Sequence, residues 1–148
     1  MSVIAWDGKT LAADKRACLG SLYRTTTKIF DLGDAFAAYA GNADAGEEVL
    51  AWFKDGRNPD KFPPSQRDRD EYAGLMIVWA NGEIWKFERT PHPIKFPPQH
   101  FAIGSGRDFA LAAMHLGKSA SEAVEVACAL DNGCGNGIDQ LAFQEPEQ

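Results

Sequence analysis

Ser2 stands directly after Met1. An initiator methionine is removed readily when the next side chain is small. The product would carry a free α-amine and a hydroxyl on one residue. An α-amine titrates at a pKa of ~8, so near neutral pH it can accept the hydroxyl proton. A terminal amine activating the hydroxyl beside it is a known variant of nucleophilic catalysis, suited to acyl transfer. The pair alone is weak evidence, since many chains begin Met-Ser. The mature chain is expected to begin near residue 1, because the start lacks the basic-then-apolar order of a secretory signal.

Other chemistry is sparse. Cys18, Cys128 and Cys134 are an odd number at scattered positions without metal-ligand spacing. They read as free thiols in a reducing compartment, and the chain as cytoplasmic. His92, His100 and His115 share no metal spacing either and read as structural or surface residues. No metal and no cofactor is expected. A net charge of −6 over 148 residues argues against a general nucleic-acid surface. No apolar run approaches the ~20 residues of a membrane span. The length suits one domain, residues 1–148, with a real core.

The elements that must position Ser2 follow from pattern. Asp7-Gly8 between two short apolar runs predicts a tight hairpin from Val3–Trp6 to Lys9–Asp14. Leu22–Phe30 is rich in β-branched and aromatic residues and reads as a strand or a pair of short strands. Ala35–Ala40, stopped by Gly41-Asn42, fits a fully buried strand. Asp44–Lys54 is an amphipathic helix that Asn42 or Asp44 could cap. Residues 55–70, with Pro59, Pro63 and Pro64, read as a loop, and Thr90–Gln99 as an irregular connection. Tyr72–Ala80 and Glu83–Glu88 flank Asn81-Gly82 as a second hairpin. Arg107–Leu116 and Ser121–Leu130 read as helices, the latter with a Ser119/Glu122 capping box. Ser105, between two glycines, is a natural N-cap for the former. Asp131 could cap or end the latter. Ile138–Phe143 closes as a strand, and 144–148 is a polar tail. Trp52, Trp79 and Trp85 read as core or subunit interface. Strand blocks with helices grouped between them indicate an α+β fold, which allows a sheet pair covered by helices on both outer faces.

Ser2-Val3-Ile4-Ala5 through Ala12-Ala13-Asp14-Lys15-Arg16-Ala17-Cys18 resembles the opening of proteasome β subunits and of the bacterial proteasome-like peptidase that works with an unfolding ATPase. Tyr39-Ala40-Gly41-Asn42-Ala43-Asp44, Gly104-Ser105-Gly106 and Asp131-Asn132-Gly133-Cys134-Gly135 are similar to later segments of that family, in the same order. The resemblance covers about residues 2–143. It implies a four-layer α/β/β/α sandwich of two antiparallel sheets, the fold of N-terminal-nucleophile hydrolases.

The resemblance also implies roles. Ser2 takes the nucleophile position, where the family has threonine. Asp14 falls on the structural acid and Lys28 on the essential lysine. Arg16 falls on the usual arginine. Gly41 falls on the oxyanion donor, and Cys18 on a residue whose main chain pairs with substrate. Ser105 and Asp131 fall on positions bordering the nucleophile's amine, with Cys134 replacing a serine. The expected activity is hydrolysis of a peptide or other amide. The expected partners are copies of the same chain in a ring and an unfolding ATPase. The Ser2 and Cys134 replacements leave a second class open: a catalytically silent subunit that serves as a scaffold or binding module. A small-molecule amidohydrolase is the third reading. The compact sequence points by analogy to a bacterial or phage member.

Overall fold

The computed structural model describes residues 2–144. Met1 and all of the expected polar tail except Gln144 lie outside them. Among the described residues the chain forms, in order, β1 (Ile4–Trp6), β2 (Thr10–Asp14), β3 (Arg16–Leu19), β4 (Leu22–Thr25), β5 (Ile29–Asp31), β6 (Ala35–Gly41), α1 (Ala43–Lys54), a 3-10 turn (Pro59–Lys61), α2 (Ser65–Asp68), β7 (Ala73–Trp79), β8 (Ile84–Phe87), β9 (Ile94–Phe96), β10 (Phe101–Ile103), α3 (Arg107–His115), α4 (Ala120–Leu130) and β11 (Ile138–Ala142).

Two antiparallel sheets carry the architecture. One has the order β10-β1-β2-β11 and the other β5-β6-β7-β8-β9; β3 and β4 pair as a small separate ribbon. Strand periodicity of two sorts side chains into three cores. Val3, Ala5 and Ala12 face α3 and α4 and meet Ala113, Ala123, Val124 and Ala127. Ile4, Trp6, Leu11 and Ala13 face the opposite way and meet Phe36, Ala38, Met76, Val78 and Ile84 of the second sheet. Ala35, Ala37, Leu75 and Ile77, on that sheet's other face, meet Val49, Leu50, Trp52 and Phe53 of α1. The result is the α/β/β/α sandwich. The small residues Ala5, Ala12, Ala123 and Ala127 let α4 lie close on the first sheet. The central layer holds the large aliphatics, each fully buried one contributing ~1.5–3 kcal/mol.

Local signals act as their chemistry dictates. Asn42 caps α1, its side chain accepting from the Ala45 N–H. Ser119 and Glu122 form both bonds of the capping box at α4. Asp7 accepts from the Lys9 and Thr10 N–H groups in the first hairpin and from the Ala120 N–H, which ties that hairpin to the start of α4.

Three segments depart from expectation. Residues 55–70, expected as a loop, contain the 3-10 turn and α2. Gln66 there is fully buried; its amide donates to the Ala73 and Glu88 carbonyls and accepts from the Ala73 N–H. Thr90–Gln99 contributes β9, an edge strand. Residues 16–19, which lack a clear pattern, become β3 because β4 pairs with them, Cys18 opposite Tyr23.

Candidate active site

Ser2 is 8% exposed and stands two residues ahead of β1's first residue, Ile4. Its carbonyl accepts from the Gly106 N–H at 3.0 Å. Val3 is held on both sides by Asp14: the Val3 N–H donates to the Asp14 carboxylate at 3.1 Å, and the Asp14 N–H donates to the Val3 carbonyl at 3.2 Å. Gly104 makes this approach possible. Its φ is +97°, and a Cβ there would stand 2.2 Å from the Ser2 carbonyl oxygen.

Asp14 ends β2 and is wholly buried. Its Oδ1 accepts from the Val3 N–H and from the Lys28 ammonium at 2.7 Å. Its Oδ2 accepts from the Gly135 N–H at 3.0 Å and the Arg16 N–H at 3.3 Å. Lys28 comes from the opposite sheet, one residue before β5, and is 7% exposed. It donates to the Ser2 Oγ at 3.2 Å. A buried ammonium is tolerated here because a carboxylate and a hydroxyl oxygen both receive it.

A second chain of bonds reaches the Ser2 nitrogen. That nitrogen donates to the Ser105 Oγ at 3.2 Å, and the Ser105 hydroxyl donates to the Asp131 carboxylate at 2.7 Å. Asp131 also accepts from the Gly133 N–H at 2.8 Å. The Ser105 hydroxyl and then the Gly133 N–H hold the Asp131 carboxyl below the usual carboxylate range. Ser105 therefore does not cap α3; the N-cap residue is Gly106, without a side-chain cap. Asp131 is the C-cap of α4 and also a member of this network. The Cys134 thiol lies 3.5 Å from the same carboxylate. Burial first, then the Asp14 and Asp131 charges, push this thiol up to about 12, so it stays protonated and offers only a weak donor.

Gly41 ends β6 with φ +118°, and a Cβ would stand 2.4 Å from the Tyr72 carbonyl oxygen. Ser2, Lys28, Gly41 and Cys18 line one cavity of about 380 Å³, together with Thr27 and Tyr39. The sequence-derived residues thus fall into three connected parts: Ser2–Lys28–Asp14, Ser2–Ser105–Asp131, and the cavity wall with Gly41 and Cys18. The three histidines are exposed and outside the site.

Further residues support the site. Arg16 braces the turn after α4, donating to the Asn132 carbonyl at 2.8 Å and the Asn136 side chain at 3.1 Å, with its guanidinium 4.5 Å from the Tyr23 ring. Gly135 brings its N–H to Asp14 and leaves room for the Arg16 guanidinium, which would stand 2.6 Å from a Cβ there. Tyr39 donates to Glu47, and burial together with this bond raises its hydroxyl above the usual tyrosine range. Gly46 leaves the room for the Tyr39 ring on α1.

No protein-family model matches the sequence, and no curated protein matches it. Solved structures match the fold. A eukaryotic HslV from Trypanosoma brucei superposes with a TM-score of 0.71 at 19% identity, over 97% of this chain and 99% of that one. Thiobacillus denitrificans BPH in complex with epoxomicin gives 0.71 at 16% identity, over 98% and 99%. Another structure of Thiobacillus denitrificans BPH gives 0.69 at 18%, over 99% of each. The chain has the proteasome-like fold of these proteins over its whole described length.

Proposed function

We propose that residues 1–148 form one domain that hydrolyses amide bonds in peptides, with Ser2 as nucleophile and its own α-amine as base. The observation that carries this reading is the convergence on one residue of two networks. Lys28–Asp14 meets the Ser2 hydroxyl, and Ser105–Asp131 meets the Ser2 nitrogen. Removal of Met1 turns that nitrogen into an amine. The neutral amine takes the proton from the Ser2 Oγ as the oxygen attacks the substrate carbonyl. The Lys28 ammonium stabilises the developing alkoxide, and Asp14 keeps Lys28 oriented. Ser105 accepts from the amine and directs its lone pair towards the hydroxyl.

The carbonyl oxygen becomes an oxyanion next to the Gly41 backbone, where one N–H donor contributes ~3 kcal/mol in a water-excluded site. The C–N bond then breaks, and the α-ammonium gives its proton to the leaving amine. Water, deprotonated by the same amine, attacks the Ser2 ester. It releases the carboxylic acid and returns the hydroxyl.

Likeness to the HslV and BPH folds supports the peptidase form of the reading. Assembly of copies into a ring, with an unfolding ATPase as partner, completes it. The apolar residues exposed at the β3–β4 tip (Leu19, Leu22, Tyr23) and on the α3–α4 pair (Leu116, Leu130) suit burial against further copies. The test is intact mass together with turnover of fluorogenic peptides. The expected result is a chain lacking Met1 that cleaves, and a Ser2→Ala chain that does not. A processed, folded chain with no cleavage that depends on Ser2 refutes the enzyme and leaves the scaffold.

A further inference from the structure

A second groove, of about 630 Å³, shares Gly41 with the first cavity and reaches Ser105, the partner of the Ser2 nitrogen. It is the open end of the layer between the sheets. Along β8 the residues facing that layer run Ile84, Lys86 and then Glu88 outside the strand, so the apolar stripe turns charged at the mouth. Ala40 and Gly74 lie opposite each other on β6 and β7 and give the groove its depth. Lys86 lies across Gly74; a Cβ there would stand 2.2 Å from its Nζ. Phe96 and Phe101 supply an apolar wall, and Ser105 and Arg107 line the rim.

Proton bookkeeping tells the two cavities apart. In the proposed reaction the leaving amine takes its proton from the Ser2 nitrogen. That nitrogen faces Ser105, which lines this groove and not the first cavity. Ser2 lines the first cavity alone of the two, so the acyl half lies there with Cys18 and Lys28, and the groove that begins at Ser105, beside the Ser2 nitrogen, is the one left for the amine half. Two cations and one carboxylate line the groove. Lys86 is already joined to Glu88 at 2.5 Å. Arg107 is held more loosely: it donates to its own Gly104 carbonyl, and its ion pair with Asp108 spans 4.0 Å with both side chains exposed.

We propose that this groove selects substrates whose leaving half carries a carboxylate, which pairs with Arg107. The proposal rests on the reading of Ser2 as the nucleophile. The carboxylate has two sources, an acidic side chain or the substrate's own C-terminus, and the experiment separates them.

Internally quenched peptides sharing one acyl half would carry Glu, Gln or Lys just after the cleaved bond. Each would be made as the C-terminal acid and as the carboxamide. The expected kcat/KM ratio of Glu to Gln, or of acid to amide, is about 5, the discrimination of one exposed charge pair, and it shrinks as salt is raised. In Arg107→Gln the ratio falls to about 1. In Arg107→Glu the Lys peptide becomes the better substrate. Ratios within one variant are independent of how much of it folds. Ser2-dependent cleavage with a ratio of 1 in the unaltered chain, or a ratio that survives Arg107→Gln, overturns the proposal and leaves the enzyme standing. Absence of any Ser2-dependent cleavage removes both.

Discussion

The Asp14–Lys28 pair gives the sharpest test of how the site is held. Asp14→Asn keeps the size of the side chain but not its acceptor pattern. Four donors converge on Asp14, two on each oxygen. Whichever way an amide turns, its NH2 group faces two donors, and the Lys28 ammonium, 7% exposed, loses its counter-charge. Breaking a buried pair from one side costs about 3–5 kcal/mol. That is a large share of the ~5–15 kcal/mol that holds a domain folded. In a chain of this length it corresponds to roughly 10–15 °C in Tm. Lys28→Met is predicted to cost less, because three backbone N–H groups still satisfy the Asp14 carboxylate. The double variant should recover about 1–3 kcal/mol relative to the sum of the single changes, since the stranded ammonium is gone. Guanidinium unfolding followed by tryptophan fluorescence at one fixed protein concentration measures all four corners. An Asp14→Asn cost below about 1 kcal/mol, or strict additivity in the double variant, would refute the argument that the carboxylate is a saturated buried acceptor.

Gly41→Ala places a methyl 2.4 Å from the Tyr72 carbonyl oxygen at a φ of +118°; it should cost roughly 2–3 kcal/mol in chemical unfolding and at least about 100-fold in peptide kcat/KM. Gln66→Ala strips three bonds from the buried start of β7; a loss of about 2–4 kcal/mol is expected, with faster hydrogen exchange at the Ala73 amide. The Asp131 carboxyl is held below its ordinary value of 3.8 by Ser105 and Gly133. The folded chain thus binds that proton less readily than the unfolded one, so the network's contribution is complete above about pH 4 and fades as pH falls through the folded value. Tm between pH 6 and 3 should fall along this limb, and less steeply in Asp131→Asn, where only the other lowered carboxylates, such as Asp7, still contribute. The Cys134 thiol, pushed up to about 12, should resist iodoacetamide at pH 8 in the folded chain and react on unfolding.

The layered fold was legible because it is written in side-chain parity. Residues 3–6, 35–38 and 75–78 are apolar at every position, the mark of strands buried on both faces, and only a sandwich offers two apolar sides to each of two sheets. Turn dipeptides and the Ser119 box gave boundaries for the same local reasons. The site was legible as residues but not as a network. Ser105 has the form of a helix cap, while the family resemblance places it beside the Ser2 amine; the fold shows it bonded to the Ser2 nitrogen and on to Asp131, and leaves the cap to Gly106. The bracing by Arg16, the Gly135 N–H and the Gly104 approach are long-range: their partners are more than a hundred residues away in sequence. No spacing rule reaches that far. Residues 55–70 misled for a different reason, since prolines mask a short helix whose purpose is one buried glutamine.

The hold on Ser2 has a consequence for how such a site comes into being. The Gly106 bond to its carbonyl and the Asp14 clasp on Val3 act on the peptide frame, and neither needs a charge on the first nitrogen. The hydroxyl is therefore already seated against Lys28 before any trimming of the terminus. Under the proposed mechanism, a chain that keeps Met1 ahead of Ser2 holds the hydroxyl in place but lacks the base, and removal of that one residue by an aminopeptidase supplies it without refolding.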